Sequence, residues 1–272
     1  MRFLLDPINS IASTGFYRQV ARQRLGRSIL YIGYLSAIFS VALGFSVKTR
    51  VIPQLHKEFS WLIRELPTLK LADGKLSSPS KKPLVIQDPE NPALRIAIDT
   101  SRTDPVPPQI LESQRLRIYL TADSAYILRS NGVIQVLDFA RLKGSAPLII
   151  NKAFLEQADA LFSGFILVAL VAVVFVGLSI WKIAATFLYS LAAMGFNSAY
   201  SAQLPYSALF NISLYAQTLN LLAHAAFFLL PWGSPPFSAP LALVSTMIYI
   251  ALAVKANAPP PQAAPAAQPP QE

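Results

Sequence analysis

The chain has 272 residues, 53% of them hydrophobic and 14% charged, with a mean hydropathy of +0.44 and a net charge of +9. A soluble domain carries about 25% charged residues, and here the deficit is local: apart from Lys182, no Asp, Glu, Lys or Arg lies between Asp159 and Lys255. The absence of cysteine excludes disulfide, thiolate and cysteine–zinc chemistry, and basic residues spread along the chain without a stacking motif argue against a nucleic-acid partner.

Residues 1–27 read as a basic amphipathic segment. Leu4, Leu5, Ile8, Ile11, Phe16, Tyr17 and Val20 are interleaved with Arg18, Arg22, Arg24 and Arg27. Such a segment either lies at a headgroup boundary, where anionic lipids attract arginine, or is the plain positive flank of the next helix. Residues 28–47, SILYIGYLSAIFSVALGFSV, form the first expected transmembrane helix. The apolar run is too long for a signal-peptide core and no A-x-A site follows, so the segment reads as an uncleaved signal anchor. The arginine cluster before it places the N-terminus in the cytoplasm.

Residues 48–158 would then lie outside. They hold 16 of the 23 basic and 11 of the 14 acidic residues. Leu55, Phe59, Leu62, Ile63 and Leu66 have helical spacing, and Pro67 ends that helix. LKLADGKL is a hairpin signal centred on Asp73-Gly74. LRIAIDTS is a strand pattern, and RLRIYLTADSAYILRSNGVIQVLDF reads as three short strands broken near Ala122–Asp123 and at Asn131-Gly132. Seven prolines, from Pro79 to Pro108, confine the intervening segments to loops or edge strands. The expectation is a β-rich insert of about 110 residues, large enough for a modest core.

The membrane half, 159–255, starts with Leu161–Trp181, LFSGFILVALVAVVFVGLSIW, which has no ionisable side chain. As a helix it covers roughly 30 Å, the thickness of a hydrocarbon core. Asp159 and Lys182 flank it. Residues 183–200 are either a continuation of that helix past the inner interface or an extra span; no Gly or Pro reverses the chain near Lys182. Further spans are expected at 209–232, with Trp232 as an interface anchor, and at 239–254. Residues 256–272 are low-complexity Pro/Ala/Gln, a tail with nothing to bury.

Candidate chemistry is sparse. His224, mid-span, is the most notable polar residue, because groups at such depth are costly and face a partner or a cavity. Asn211, Gln217 and Asn220 could bond it across helices, and the four together are the candidate intramembrane polar site. His56 reads as a solvated interfacial residue. Two histidines with no carboxylate spaced to join them give no metal site. Ser78 and Lys81 have S-x-x-K spacing but sit in a proline-flanked loop, which does not supply the rigid, desolvated frame of a nucleophile pair. Asp99 reads as a cap of the following turn. No cofactor motif is present.

FYRQVARQRLGRSILYIGYL, LKLADGKL, IAIDTS and LPYSALFNISLYAQTLNLL, in that order, resemble the bacterial membrane proteins grouped as domain of unknown function 1189 (DUF1189), which include a maltodextrin-utilisation accessory protein. The last stretch is also distantly similar to Yip1-type membrane proteins. The resemblance brings no catalytic residues. The expectation is an α-helical polytopic protein of the bacterial inner membrane with four transmembrane helices, or five, and an extracytoplasmic α+β, mostly β, insert. Its partners would be the lipid bilayer and a membrane or envelope protein, and its role that of a non-enzymatic accessory, sensor or scaffold. The alternative is a component of a transport system, with sugar as a candidate cargo and a polar path near His224.

Overall fold

The structure, a computed structural model, describes residues 2–80, 82–129, 131–144, 146–230 and 238–259. Lys81, Trp232 and the tail from residue 260 onward, each singled out in the sequence, lie outside these residues. The chain divides into two compact units, one formed by residues 1–47 and 167–272, the other by 48–166.

The first unit is helical. After a 3-10 turn at Arg2–Leu5 come two short helices, α1 (Asp6–Ala12) and α2 (Phe16–Arg22). The long α3 (Leu25–Ser46) follows, then α7 (Leu167–Ala199), α8 (Tyr206–Tyr215), α9 (Thr218–Leu229) and α10 (Ser238–Ala256). A Cβ on Gly44 of α3 would meet Val171 of α7 at 2.6 Å, a close approach that glycine permits. Tyr31 of α3 meets Thr218 at the start of α9, and Phe39 meets Phe228 further along, so α3 and α9 run in parallel. Gln217 reaches Thr186, which fixes the α7 rung opposite. Asn220 of α9 reaches Ala242 and Thr246 of α10. Arg18 Nε donates to Ala256 O at 2.7 Å and Tyr249 hydroxyl to Ile11 O at 3.1 Å, so α1, α2 and the C-terminal turn of α10 meet at one end of the unit. Among the described residues, four helices are long and apolar enough to cross a membrane: Leu25–Glu65, Lys152–Ala199, Tyr206–Leu229 and Ser238–Ala256.

Two boundaries differ from expectation, and one alternative left open at Lys182 is decided in favour of the continuous helix. The helix leading into the second apolar run begins at Lys152, not near Leu161. Asn151 Oδ1 accepts from Phe154 N at 2.9 Å, an N-cap that starts α6 (Lys152–Leu161). A π-helical turn at Phe162–Ile166 leads on to α7. Beyond Lys182 that helix continues unbroken to Ala199, so residues 183–199 are not a separate span. The expected 209–232 span is two helices, broken at Ala216–Gln217.

The second unit is the insert. α4 (Ile52–Glu65) follows a π turn at Val47–Val51 and begins with Pro53 in its first turn, where the missing N–H costs nothing. β1 (Leu69–Ala72) and β2 (Lys75–Ser77) form the expected hairpin. Asp73 at φ 50° and Gly74 at φ 75° supply the two left-handed residues of a type I′ turn. β1 also pairs with β8 (Leu148–Ile150) to complete a three-stranded sheet. The second sheet has order β3 (Leu84–Gln87), β4 (Arg95–Asp99), β5 (Ile118–Thr121), β6 (Ser124–Leu128), β7 (Ile134–Asp138). Only β4 and β5 are parallel, and between them runs α5 (Pro108–Ser113), where the prolines led us to expect loop. Strand alternation divides the core. Ile96 and Ile98 face Trp61, Leu69, Leu76 and Ile86, while Ala97 and Tyr119 face Leu111, Leu116 and Val106.

Candidate functional site

Two groups of polar side chains in the helical unit are candidates for a site. The first is a foot where α1 and α2 fold back onto α3, α8 and α9. Asp6, 2% exposed, receives Arg27 Nη2 at 3.0 Å and Tyr215 hydroxyl at 3.5 Å. Tyr31 and Tyr215 stack with centroids 3.9 Å apart and planes 3° from parallel. Tyr31 hydroxyl also bridges Thr218 at 2.8 Å and Ser10 at 3.4 Å. Gln23 Nε2 donates to Ser28 Oγ, Ser28 Oγ donates to Asn211 Oδ1, and Asn211 Nδ2 returns to Gln23 O, with distances of 2.8, 2.7 and 2.9 Å. Burial pushes the Tyr17 phenol well above its ordinary pKa, with Tyr31 and Tyr249 adding to the shift, so it stays protonated and donates to Ser10 O at 3.0 Å. Every group is locked to a neighbour. The chemistry available here is cohesion, each interhelical bond contributing roughly 0.6 kcal/mol on average in an apolar medium.

The second is a pocket of about 170 Å³ between α3, α7 and α9, lined by Phe39, Leu178, Trp181, Lys182, Asn220, Leu221 and His224. Lys182 lies one turn from the Thr186–Gln217 rung. It therefore sits between that rung and the Gly44–Val171 contact, beside the middle turns of α3. The sequence reading had placed it as the flank of a span, at an interface. The only acidic residue described in this unit, Asp6, is engaged at the foot, and no ion pair reaches Lys182 among the described residues. An unpaired cation at the centre of a membrane helix costs about 2.5–3.5 kcal/mol on insertion scales. His224 Nδ1 lies 2.8 Å from Asn220 O. A carbonyl only accepts, so Nδ1 carries the hydrogen and Nε2 is the basic nitrogen of the neutral ring.

The four residues expected to form one site are thus spread over three contacts. Asn211 belongs to the foot. Gln217 Nε2 donates to Thr186 Oγ1 at 2.8 Å, and Thr186 in turn donates to Lys182 O at 2.7 Å. Asn220 Nδ2 bridges Ala242 O and Thr246 Oγ1, and its Oδ1 accepts from Ser245 at 2.9 Å. Only Asn220 and His224 share the pocket, and His224 bonds its own helix rather than a neighbouring one. Lys182, Tyr31 and Tyr215 were missed. Lys182 carried a signal: apart from it, no Asp, Glu, Lys or Arg lies between Asp159 and Lys255.

In the insert, a cleft of about 380 Å³ lies between α4 and the β3–β4 loop, lined by Lys57, Trp61, Arg64, Asp88 and Glu90 among others. Lys57 Nζ meets Glu90 Oε2 at 3.0 Å. His56, expected to be solvated, hydrogen-bonds Asp159 through Nδ1 at 2.7 Å. Asp99 caps its turn, accepting from Ser101 N and Oγ, and its other oxygen accepts from Tyr119 hydroxyl at 3.3 Å. Ser78 follows β2 on an irregular stretch. Among the described residues no group of three His, Asp or Glu could hold a metal ion.

No curated protein and no solved structure matches the chain. One family model does, that described as protein of unknown function DUF1189, over residues 7–254, and neither the maltodextrin nor the Yip1-type likeness is part of that match. A match over nearly the whole length, across both the helical unit and the insert, makes this chain a member of the DUF1189 family.

Proposed function

We propose that the protein is a multi-pass protein of the bacterial inner membrane, non-enzymatic, that serves as an accessory, sensor or scaffold. Its four helices would cross the bilayer with both the foot and residue 256 on the cytoplasmic side. The insert would be extracytoplasmic and contact a membrane or envelope partner. The observation that carries this reading is the use made of the polar groups. Asn211, Gln217 and Asn220 are each spent on a different interhelical contact, which suits a rigid frame and not a continuous hydrophilic path. Cysteine-accessibility mapping tests it, the chain having no cysteine of its own. Single cysteines at Ser80 and Ser234 should react with an impermeant maleimide in intact cells, and those at Ser201 and Ala263 only after lysis. The opposite pattern, or recovery of the chain in the membrane-free supernatant, refutes the placement.

The transport reading retains one supporting observation, the pocket that holds His224 and Lys182. His224→Leu separates the two. Lost uptake of a solute, sugar first, with intact expression favours transport; unchanged uptake favours the frame.

A further inference from the structure

We propose that the pocket between α3, α7 and α9 binds the head of a carboxylic acid amphiphile, with Lys182 and His224 as its ligands. The inference rests on the membrane placement proposed above and goes beyond it, since that placement needs no ligand.

Lys182 presents donors only, and no acidic side chain among the described residues of this unit reaches it. Its counter-charge must come from outside the unit. His224, with Nδ1 held by Asn220 O, has only Nε2 left for a ligand, and in the neutral ring that nitrogen accepts. Asn220 is satisfied through both its amide nitrogen and its oxygen, so it shapes the pocket without competing for the ligand. The two remaining groups ask for an acceptor beside a donor. A carboxylic acid carries both on one carbon: its O–H proton passes to His224 Nε2, and the carboxylate left behind accepts from the Lys182 ammonium and from the new His224 N–H. Phosphodiesters offer acceptors alone, and amines add a second positive charge. Alcohols match the hydrogen bonds but leave the ammonium without an anion.

Size and surroundings narrow the choice. About 170 Å³ holds a carboxyl head and the first few methylenes. The remaining walls are Phe39, Leu178, Trp181 and Leu221, all apolar. Trp181 in the pocket wall is itself exposed, so the pocket opens beside it and an alkyl chain can continue along that apolar edge of α7. A neutral long-chain acid partitions into hydrocarbon, whereas a phospholipid head stays at the interface.

Trp181 in the pocket wall is a built-in reporter. The full chain carrying Trp61→Phe and Trp232→Phe, which leaves Trp181 as its one tryptophan, is reconstituted into phosphatidylcholine nanodiscs and titrated with bromododecanoic acid. We expect saturable quenching, displaced by dodecanoic acid but not by dodecanol, dodecylamine or phosphatidylglycerol, and only weakly by acetate. Lys182→Met, an apolar replacement of similar length, should weaken binding by about tenfold or more, as loss of a charge-assisted bond requires. Lys182→Arg should restore it, and His224→Leu should cause a smaller loss. Quenching that rises without saturation and equally in Lys182→Met overturns the proposal while leaving the membrane placement intact. So does displacement by phosphatidylglycerol, which would make the ligand a phosphate. So does a carbodiimide cross-link from Lys182 to an acidic side chain of another polypeptide. A chain that fails to enter nanodiscs and stays in the aqueous fraction overturns both.

Discussion

The insert and the helical unit place their polar groups in opposite ways. In the insert, Trp61, Leu69, Leu76, Ile86, Ile96 and Ile98 are inside, and the charges, Asp88 apart, are exposed or half-buried. In the helical unit, large apolar groups such as Val173, Ile180, Trp181, Leu188 and Leu241 are outside, while Asp6, Ser28, Thr186, Asn211, Gln217 and Thr218 are inside. Thirteen of the fifteen buried polar residues described belong to the helical unit. The same chain thus obeys two solvents. Water rewards hiding hydrocarbon. Lipid gives no such reward between helices, and cohesion there falls to hydrogen bonds and close packing.

The strongest way to break this contrast is to exchange the two kinds of residue. Ile98, 2% exposed on the second strand of the five-stranded sheet, should not tolerate Ile98→Asn. Lost burial and an orphaned amide together cost about 3–5 kcal/mol. Limited proteolysis of the full chain should show cleavage across residues 84–138 with the helical unit still protected. Cleavage of both units together would show that they do not fold separately.

Next in size is Ile180→Asp on the open flank of α7, where Ile180 is 63% exposed. On a water-facing helix such a change falls within about 0.5 kcal/mol. In lipid it costs about 2.5–3.5 kcal/mol. Lys182 does not rescue it, because positions two apart on a helix point away from each other. The carbonate-resistant fraction of newly made protein measures the effect, and an unchanged fraction would remove the lipid from the account.

Asn211→Leu comes third. It is the exchange converse to Ile98→Asn, an apolar group placed in a polar interior. It leaves Ser28 Oγ and the Gln23 carbonyl without their partner, a loss of about 1–3 kcal/mol. We expect a lower melting temperature in detergent, and Ser28→Ala added to it should restore part of the loss. A gain in stability on Asn211→Leu would mean that the foot is held by hydrocarbon after all.

What the sequence conveyed follows the range of the forces involved. The hairpin was legible because Asp73-Gly74 dictates its own turn, and α4 because its apolar spacing is local. The pairing of β1 with β8 was not, because the strands are separated by most of the insert and their meeting is a tertiary event. The start of α6 was legible in principle: Asn151 followed by Phe154 is a cap that propensity rules contain, and hydropathy drew attention to Leu161 instead. Within the candidate site, His224 stood out as a polar group in an apolar run. Lys182 was misread because a charge at the edge of a hydrophobic window looks like a boundary; only the rungs set by Gly44 and Gln217 put it beside the middle of α3. The foot was invisible because Tyr31, Tyr215 and Asp6 are 209 residues apart at the extreme.

The smallest expected effect sharpens the contrast most finely, because it compares two ion pairs of one length. Lys57–Glu90 in the insert and Arg27–Asp6 at the foot both close at 3.0 Å. Lys57 and Glu90 are 68% and 69% exposed, so water screens them and the pair contributes between 0 and about 1 kcal/mol. Asp6 has a side chain only 3% exposed, and removing its partner strands a buried carboxylate that keeps the 3.5 Å bond from the Tyr215 hydroxyl but loses its counter-charge. Lys57→Ala should therefore lower the unfolding midpoint slightly at low salt and not at all near 1 M, where the screening length is about 3 Å. Arg27→Met should lower it at both. Salt separates the two pairs where distance does not: if the Arg27→Met loss also vanished in 1 M salt, the foot would be wet, and the division of the chain between two solvents would have to be drawn above it.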